Sequence, residues 1–512
     1  MSHPQLLLLA SIKYLCRLAV LCLVGLTLDQ HGFADQPNIV LILADDLGYG
    51  DLGCYGQEKI QTPHLDRLAS QGMRFTNHYT GSPVCASARC TLLTGKHSAH
   101  AEIRGNRDSG NGRAFPGQWP ITAEAITIAE VLQEAGYATG GFGKWGLGPT
   151  DTSGSPIKQG FDRFYGYNCQ RNAHSYYPSY LDDDDRIDEI NSRPIPGHRK
   201  QPEGEVRAEA YRADVYAPER ILDKAIEWLD SNHQRRFFLY LPFVEPHVAM
   251  HPPQEWLDHY PHEWDQETGP YRGENGYLPH PRPRAGYAAM ISHLDNHVGK
   301  IMNRLDELGV ADNTLVVFIS DNGPTHAGQD KRWSIGGAAS EFFDSTGDLK
   351  GYKGSCDEGG IRIPCLVRWP GVVRPGTTTN VPSYFPDWFP TFCKAARTKL
   401  PTGLQSDGVD LNDTLRGSAT LNRSQPMIWE FPQYGGIVAI RDGKWKAIRK
   451  GLMTKMPSEW ELYDLEADFK EENNLAETHP TIVADLVRAY QSTRTVEPDF
   501  PFPCFDQDTR LP

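Results

Sequence analysis

At Cys85-Ala86-Ser87-Ala88-Arg89-Cys90-Thr91-Leu92-Leu93-Thr94-Gly95-Lys96 a thiol precedes an arginine among small residues, and a Thr-Gly-Lys tail follows. Pro83 suits the start of a helix. If the helix begins near Cys85, residues i and i+4 share a face, and Arg89 stands beside the side chain at 85. The amides and the positive dipole end of that helix suit a tetrahedral oxyanion. Two other readings stay open from these residues alone. Cys85 and Cys90 could be structural, paired with other cysteines. Cys85 could also be a thiolate nucleophile in a phosphate-wrapping loop, but such a loop needs a longer spacer before its arginine than this chain has.

Further polar residues stand just past apolar runs. Residues 38–43 lead into Asp45-Asp46, residues 237–241 into Glu245-Pro246-His247, and residues 314–319 into Asp321-Asn322. Adjacent carboxylates at the end of a buried strand are costly without a partner. The carboxyl end of strands in an open α/β sheet is where ligands bind. A solvated Asp-Asp turn and a structural histidine are the plain alternatives. Arrival of all three segments at one sheet edge favours a site.

The elements that position these residues alternate. Residues 38–43 are continuous and β-branched, as in a parallel strand buried on both faces. Thr62-Pro63 opens a helix through Leu65, Leu68, Ala69 and Met73. Thr127-Ile128-Ala129-Glu130 is a capping box, and Gly136 stops that helix. A strand is expected over 137–142, a helix from Pro218 through Leu229, strands over 237–241 and 314–319, and a long helix over 286–308. Gly141-Phe142-Gly143-Lys144-Trp145-Gly146 matches G-x-G-x-x-G formally, but breakers follow and no helix opens, so it is not a dinucleotide site. Residues 149–213 read as an irregular loop rich in aromatics, with an acidic run at 182–185 that reads as a solvated turn. After about residue 425 the pattern turns to a hairpin around Asp442-Gly443, a strand over 460–465 and a closing helix over 482–490.

Several motifs, in order, resemble those of the formylglycine-dependent sulfatases, arylsulfatase-like enzymes of the alkaline phosphatase superfamily. Cys85, Arg89, Thr94, Gly95 and Lys96 match the active-site signature; Ser87 stands where that family has Pro or Ala. Gly143-Lys144-Trp145 resembles the Gly-Lys-Trp-His-Leu-Gly element, with Gly146 in the place of its histidine. Lys350-Gly351, Glu358-Gly359-Gly360-Ile361-Arg362-Ile363-Pro364 and Asp387 continue the match. The resemblance implies an α/β, alkaline-phosphatase-like sandwich with a large mixed, mainly parallel central sheet and a small antiparallel α+β C-terminal subdomain. The expected division is a signal peptide at 1–34, a catalytic domain at 35–424 and a C-terminal subdomain at 425–512.

The same resemblance implies a sulfuric ester hydrolase whose Cys85 is oxidised to formylglycine, with the hydrated aldehyde attacking sulfur. The metal ligands would be Asp45, Asp46, Asp321, Asn322 and the modified Cys85. Those oxygen donors suit Ca²⁺ or Mg²⁺ rather than zinc, and the family usually carries Ca²⁺. Arg89, Lys144 and Lys353 would hold anionic oxygens. His247, with Lys353, would protonate the departing alcohol. With Gly146 lacking a side chain, His174 is the expected base for sulfate release, pointing into the space above Gly146. The implied partners are a sulfated small molecule or glycan and, during maturation, the formylglycine-generating enzyme. The aromatic residues of 161–180 would suit sugar stacking or core packing equally. Two alternatives are a phosphonate or phosphodiester hydrolase of the same superfamily, whose metal site is typically softer and contains histidine, and an inactive glycan-binding relative.

Bulk properties set bounds. The 512 residues carry a formal net charge of -14, against a generally basic nucleic-acid surface. Lys13, Arg17 and the apolar residues 18–28 read as a signal peptide cleaved after Gly32-Phe33-Ala34, which implies export to a periplasmic or secreted location without stable membrane insertion. Setting aside Cys16, Cys22 and Cys85 leaves an odd set of cysteines whose scatter resembles no disulfide framework and no CxxC metal site.

Overall fold

Residues 38–43 are continuously apolar because both faces of their strand are covered. Val40, Ile42 and Ala44 enter one core cluster, and Ile39, Leu41 and Leu43 enter another. This period of two splits one run between the two sides of a sheet. The computed structural model describes residues 36–109, 117–325 and 334–506, so the signal peptide expected at 1–34 lies outside the described residues. Among the described residues, no helix is long and apolar enough to cross a membrane.

Asn38–Ala44 lies at the middle of a ten-stranded sheet, parallel to Phe237–Pro242 on one side and Thr314–Ser320 on the other. Ala138–Lys144 and Arg163–Tyr167 continue the parallel order, and Cys365–Arg368 pairs antiparallel with Thr314–Ser320. The sheet is therefore mixed and mainly parallel at its centre, with helices on both faces, as expected. Register aligns Leu43 with Pro242 and Ala44 with Ser320, so the segments after these strands emerge at one edge. That alignment carries Asp45, Glu245 and Asp321 to the same place.

The helices follow their sequence signals. Pro63–Gln71 has Pro at its first turn, and Ile128–Glu134 has both arms of the Thr127/Glu130 capping box. The long helix is Pro283–Glu307. Residues 149–213 depart from the expected loop: they hold the strand Arg163–Tyr167 and the hairpin Tyr180–Asp183/Arg186–Glu189. Phe161, Phe164, Tyr165, Tyr167, Tyr176 and Tyr177 are buried in core clusters. The sugar-stacking alternative for these rings is thus overturned; apolar burial claimed them.

The C-terminal sheet is four-stranded and antiparallel, in the order Met427–Phe431, Ile437–Asp442, Trp445–Lys450, Glu461–Asp464. Its alternation again decides its packing. Ile437 and Ala439 face Tyr79, Val84 and Ile361 of the main unit, while Val438 and Ile440 face Leu486, Tyr490 and Phe502. The closing helix is Pro480–Thr493. A buried charge cluster ties the two parts: Arg104 donates to Glu430 at 2.6 Å, and Glu430 also accepts from Tyr490 at 2.6 Å and Arg494 at 2.9 Å. Arg104→Ala removes one cation and leaves the buried carboxylate to Arg494. A loss of about 3 kcal/mol is expected, near the low end for a broken buried pair. Chemical denaturation checks it, and an unshifted midpoint would mean the pair contributes nothing to docking.

Candidate active site

The helix Cys85–Thr94 is buried along its whole length and ends at Gly95, whose φ of 67° is the left-handed cap that stops it. Cys85 is its first residue. Part of the expected amide donor set is already used: Ala86 N donates to Asn106 Oδ1 at 3.1 Å. Cys85 Sγ lies 3.4 Å from Asp45 Oδ1 and 3.4 Å from Lys353 Nζ. Arg89, one turn on, reaches the same carboxylate with Nη2 at 3.6 Å from Asp45 Oδ2. Residues 85 and 89 therefore share a face, as helical spacing requires.

Asp45 and Asp46 follow one another, and in an extended chain they would point apart. Asp46 takes φ of 66°, which ends the strand and lets both carboxylates enter one space. Asp46 accepts from Lys353 Nζ at 2.7 Å and from Asn322 Nδ2 at 2.7 Å. Asp321 accepts from Arg89 Nη2 at 2.8 Å and from the Asp46 amide at 3.2 Å. Lys144 Nζ is paired with Asp45. Three carboxylates and three cationic groups thus form one network below the surface.

The network fixes the charge states. Burial opposes ionisation of Asp45, but Lys144, His247 and Arg89 outweigh it and hold its pKa well below the usual range. Asp46 is lowered in the same way, with Lys353 outweighing burial. Asp321 goes the other way, to about 7, through burial and the neighbouring Asp45 charge. Burial, reinforced by Asp45, pushes the Cys85 thiol up to about 12, so an unmodified Cys85 is no thiolate at neutral pH. The thiolate reading of Cys85 loses its physical basis. The disulfide reading falls too, because all eight cysteines among the described residues are free.

His247 arrives after the strand Phe237–Pro242, as its sequence position suggests. Its Nδ1 is bonded to Val248 O, and its Nε2 lies 3.7 Å from Asp46 Oδ2. Burial, then the Lys353 charge, lowers its pKa to about 4. His174 stacks on His247, with ring centroids 5.2 Å apart and planes 9° apart, and its Nδ1 meets His198 Nε2 at 3.0 Å. Both histidines line a cavity of about 180 Å³ with Asp46, Cys85, Lys144 and Lys353. His97 and His100 lie elsewhere, stacked on each other beside Asp407.

One expectation is corrected. His174 does not fill the space above Gly146; Gln170 does. A Cβ placed on Gly146 would lie 2.4 Å from Gln170 Nε2. Gln170 had no sequence signal, since an amide carries neither a charge pattern nor a motif. Asn106, Tyr277, Thr325 and Tyr434 also line the cavity and were missed because they stand in no motif.

The residues fit a hard divalent cation. Asn322 Oδ1 is buried with no hydrogen-bond partner, next to the carboxylates of Asp46 and Asp321. A carbonyl-type oxygen left open beside anionic oxygens is the donor set that Ca²⁺ or Mg²⁺ takes. One ligand atom each from Asp45, Asp46, Cys85 and His247 lie within 4.8 Å of one another.

Comparison with known proteins agrees with this geometry. The family model Sulfatase matches residues 37–398, and the model for the C-terminal part of N-sulphoglucosamine sulphohydrolase matches residues 353–494. An N-acetylgalactosamine-6-O-sulfatase of Bacteroides thetaiotaomicron is 31% identical, covering 91% of this chain and 95% of its own. Human arylsulfatase A is 34% identical, covering 81% of this chain and 75% of its own. The crystal structure of Ps i-CgsB in complex with k-i-k-neocarrahexaose superposes with a TM-score of 0.71 at 26% identity, covering 92% of this chain and 96% of that one.

Proposed function

The chain belongs to the sulfatase family and is a sulfuric ester hydrolase, and from that premise we propose that Cys85, as formylglycine, is its reacting residue, within a metal site of Asp45, Asp46, Asp321 and Asn322. The observation that carries this reading is the convergence of Cys85, three carboxylates, Arg89, Lys144 and Lys353 at one sheet edge. The family generally uses a formylglycine and a divalent metal. When bound, these supply the nucleophilic oxygen and the charge that polarises the sulfuryl group.

The side chains of the protein supply the rest. Arg89 holds Asp321 and Asp45 in place from below, so the carboxylates keep one orientation. Lys144 and Lys353 present positive charge toward the anionic oxygens of the ester. Lys353 stays protonated: burial works against its charge, but the Asp46 and Asp45 carboxylates raise its pKa well above the usual value. With Nδ1–H of His247 donating to Val248 O and its pKa lowered to about 4, Nε2 is left as an acceptor, and the protonated Lys353 is the group that can give the departing alcohol its proton. His198 accepts from the Tyr277 amide at Nδ1 and so donates from Nε2 to His174 Nδ1; the neutral His174 ring carries its proton on Nε2 and is a donor there rather than the base for sulfate release.

We propose a sulfated glycan as substrate and Ca²⁺ as the metal. The relatives that act on or bind sulfated sugars support the first, and Tyr434, 61% exposed at the cavity rim, offers a ring for a sugar face. The all-oxygen set of Asp45, Asp46, Asp321 and Asn322 supports the second. Export, with residues 1–34 removed and maturation by a formylglycine-generating enzyme, belongs to the same proposal. Parallel assays test the reaction class: an aryl sulfate should be cleaved at least about 100-fold faster than the matching aryl phosphodiester, because Lys144 and Lys353 are set for a single anionic group beside hard oxygen ligands. Equal or faster diester cleavage would overturn it.

A further inference from the structure

Gly146 has φ of +92°, and the volume its missing side chain would fill is taken by Gln170, with Nε2 at 2.4 Å and Cδ at 3.3 Å from a Cβ built there. Arg89 Cδ is the next neighbour of that point, at 3.7 Å. Gln170 thus sits over Gly146, just past the end of the Ala138–Lys144 strand, and shares the cavity wall with Lys144. The residue is 6% exposed, yet neither Nε2 nor Oε1 has a hydrogen-bond partner. Buried polar groups in native proteins are nearly always paired, so a fully unpaired amide on the wall of a cavity marks a missing ligand. The same cavity is lined by Cys85, Lys144 and His174.

Resting on the sulfatase reading, we propose that Gln170 contacts the substrate, its Nε2 donating to a non-bridging oxygen of the sulfuryl group. An ester sulfate offers only acceptor oxygens there, and the Gln170 amide is a neutral donor on the wall that also carries Lys144 and Lys353. An amide neither gives up nor takes a proton in the working pH range, so Gln170 binds and orients the anion and takes no part in proton transfer. Gly146 is part of the same device: any side chain at 146 would displace the amide from the cavity.

The experiment uses the full chain and inorganic sulfate as the probe. Gln170→Met keeps the volume over Gly146 and removes both polar atoms. Its sulfate Kd by calorimetry should rise about tenfold, with a matching fall in kcat/KM for an aryl sulfate, as for a lost hydrogen bond to a charged group. Its melting temperature should hold or rise, since an unpaired buried amide has been replaced by an apolar group. Gln170→Glu keeps the shape and sets a carboxylate against the anion, so a larger loss, about 100-fold, is expected. A packing residue would show the reverse: unchanged sulfate Kd and kcat/KM in Gln170→Met, which would overturn the proposal. The sulfate arm needs no turnover. Failure of the wild type to cleave the aryl sulfate would strike the sulfatase reading and leave the binding result to decide the role of Gln170.

Discussion

Cys85→Ala is expected to give a folded protein without measurable turnover. Cys85 is 2% exposed at the first position of its helix, and alanine is the best helix former, so the backbone has no reason to change. Packing loss is small, because the side chain shrinks by one atom next to charged groups rather than in a close-packed apolar core. Loss of a reacting residue costs about 10⁴-fold or more in kcat, with only binding and electrostatic stabilisation left behind. The complementary measurement is mass spectrometry of the peptide spanning residue 85 in protein from a host able to modify it. An aldehyde mass in place of the thiol is expected despite Ser87, which sits inside the helix with its hydroxyl bonded to Ser82 at 2.6 Å and to Val84 O at 3.2 Å. The same spectrum reports whether residues 1–34 have been removed. Active protein carrying only a thiol at 85, or an active Cys85→Ala variant, would sink the assignment.

Asp321→Asn should lose metal and activity together. Asparagine keeps the shape and can still meet the Asp46 amide, so the fold should survive. It replaces the carboxyl oxygen that faces Arg89 at 2.8 Å, and with it the anionic form that a cation would draw on, and leaves two carboxylates against three cationic groups. Metal content per chain should fall below that of the wild type, and kcat should fall about 10²- to 10³-fold, as when one electrostatic partner of a transition state is removed. A second readout needs no turnover. Ca²⁺ at 100 times its Kd should stabilise the wild type by about 2.7 kcal/mol, and this gain should shrink in the variant. Full metal occupancy together with unchanged stabilisation in Asp321→Asn would remove Asp321 from the ligand set.

The sequence by itself determined the pieces that depend on local pattern. A β-branched apolar run such as residues 38–43 reads as a strand covered on both faces, and its clusters divide by alternate residues as that requires. The Thr127/Glu130 box and Pro63 fix helix starts through amides that need partners. Asp45, Asp46, His247 and Asp321 were legible because charged or titratable groups at the end of a buried strand are costly unless used, whereas Cys85, Arg89, Lys144 and Lys353 were legible through motifs that resemble those of the sulfatases. The rings of residues 161–180 were not legible, since a tyrosine suits a core and a sugar site alike; their burial settled it.

Only tertiary structure decided what fills the gap at Gly146. His174 and Gln170 lie on the same stretch, and both reach the cavity. Sequence chemistry favours the histidine there because imidazole titrates near neutrality. Packing chose otherwise: His174 is drawn aside by stacking on His247 and by its bond to His198, and the unhindered volume over the glycine goes to the glutamine. Asn106 and Tyr277 come to the cavity from other segments in the same way. Periodicity and motifs report how each segment meets its own surroundings. Which side chains from distant segments share one small volume is set by steric competition among them, and that competition exists only once the chain has folded.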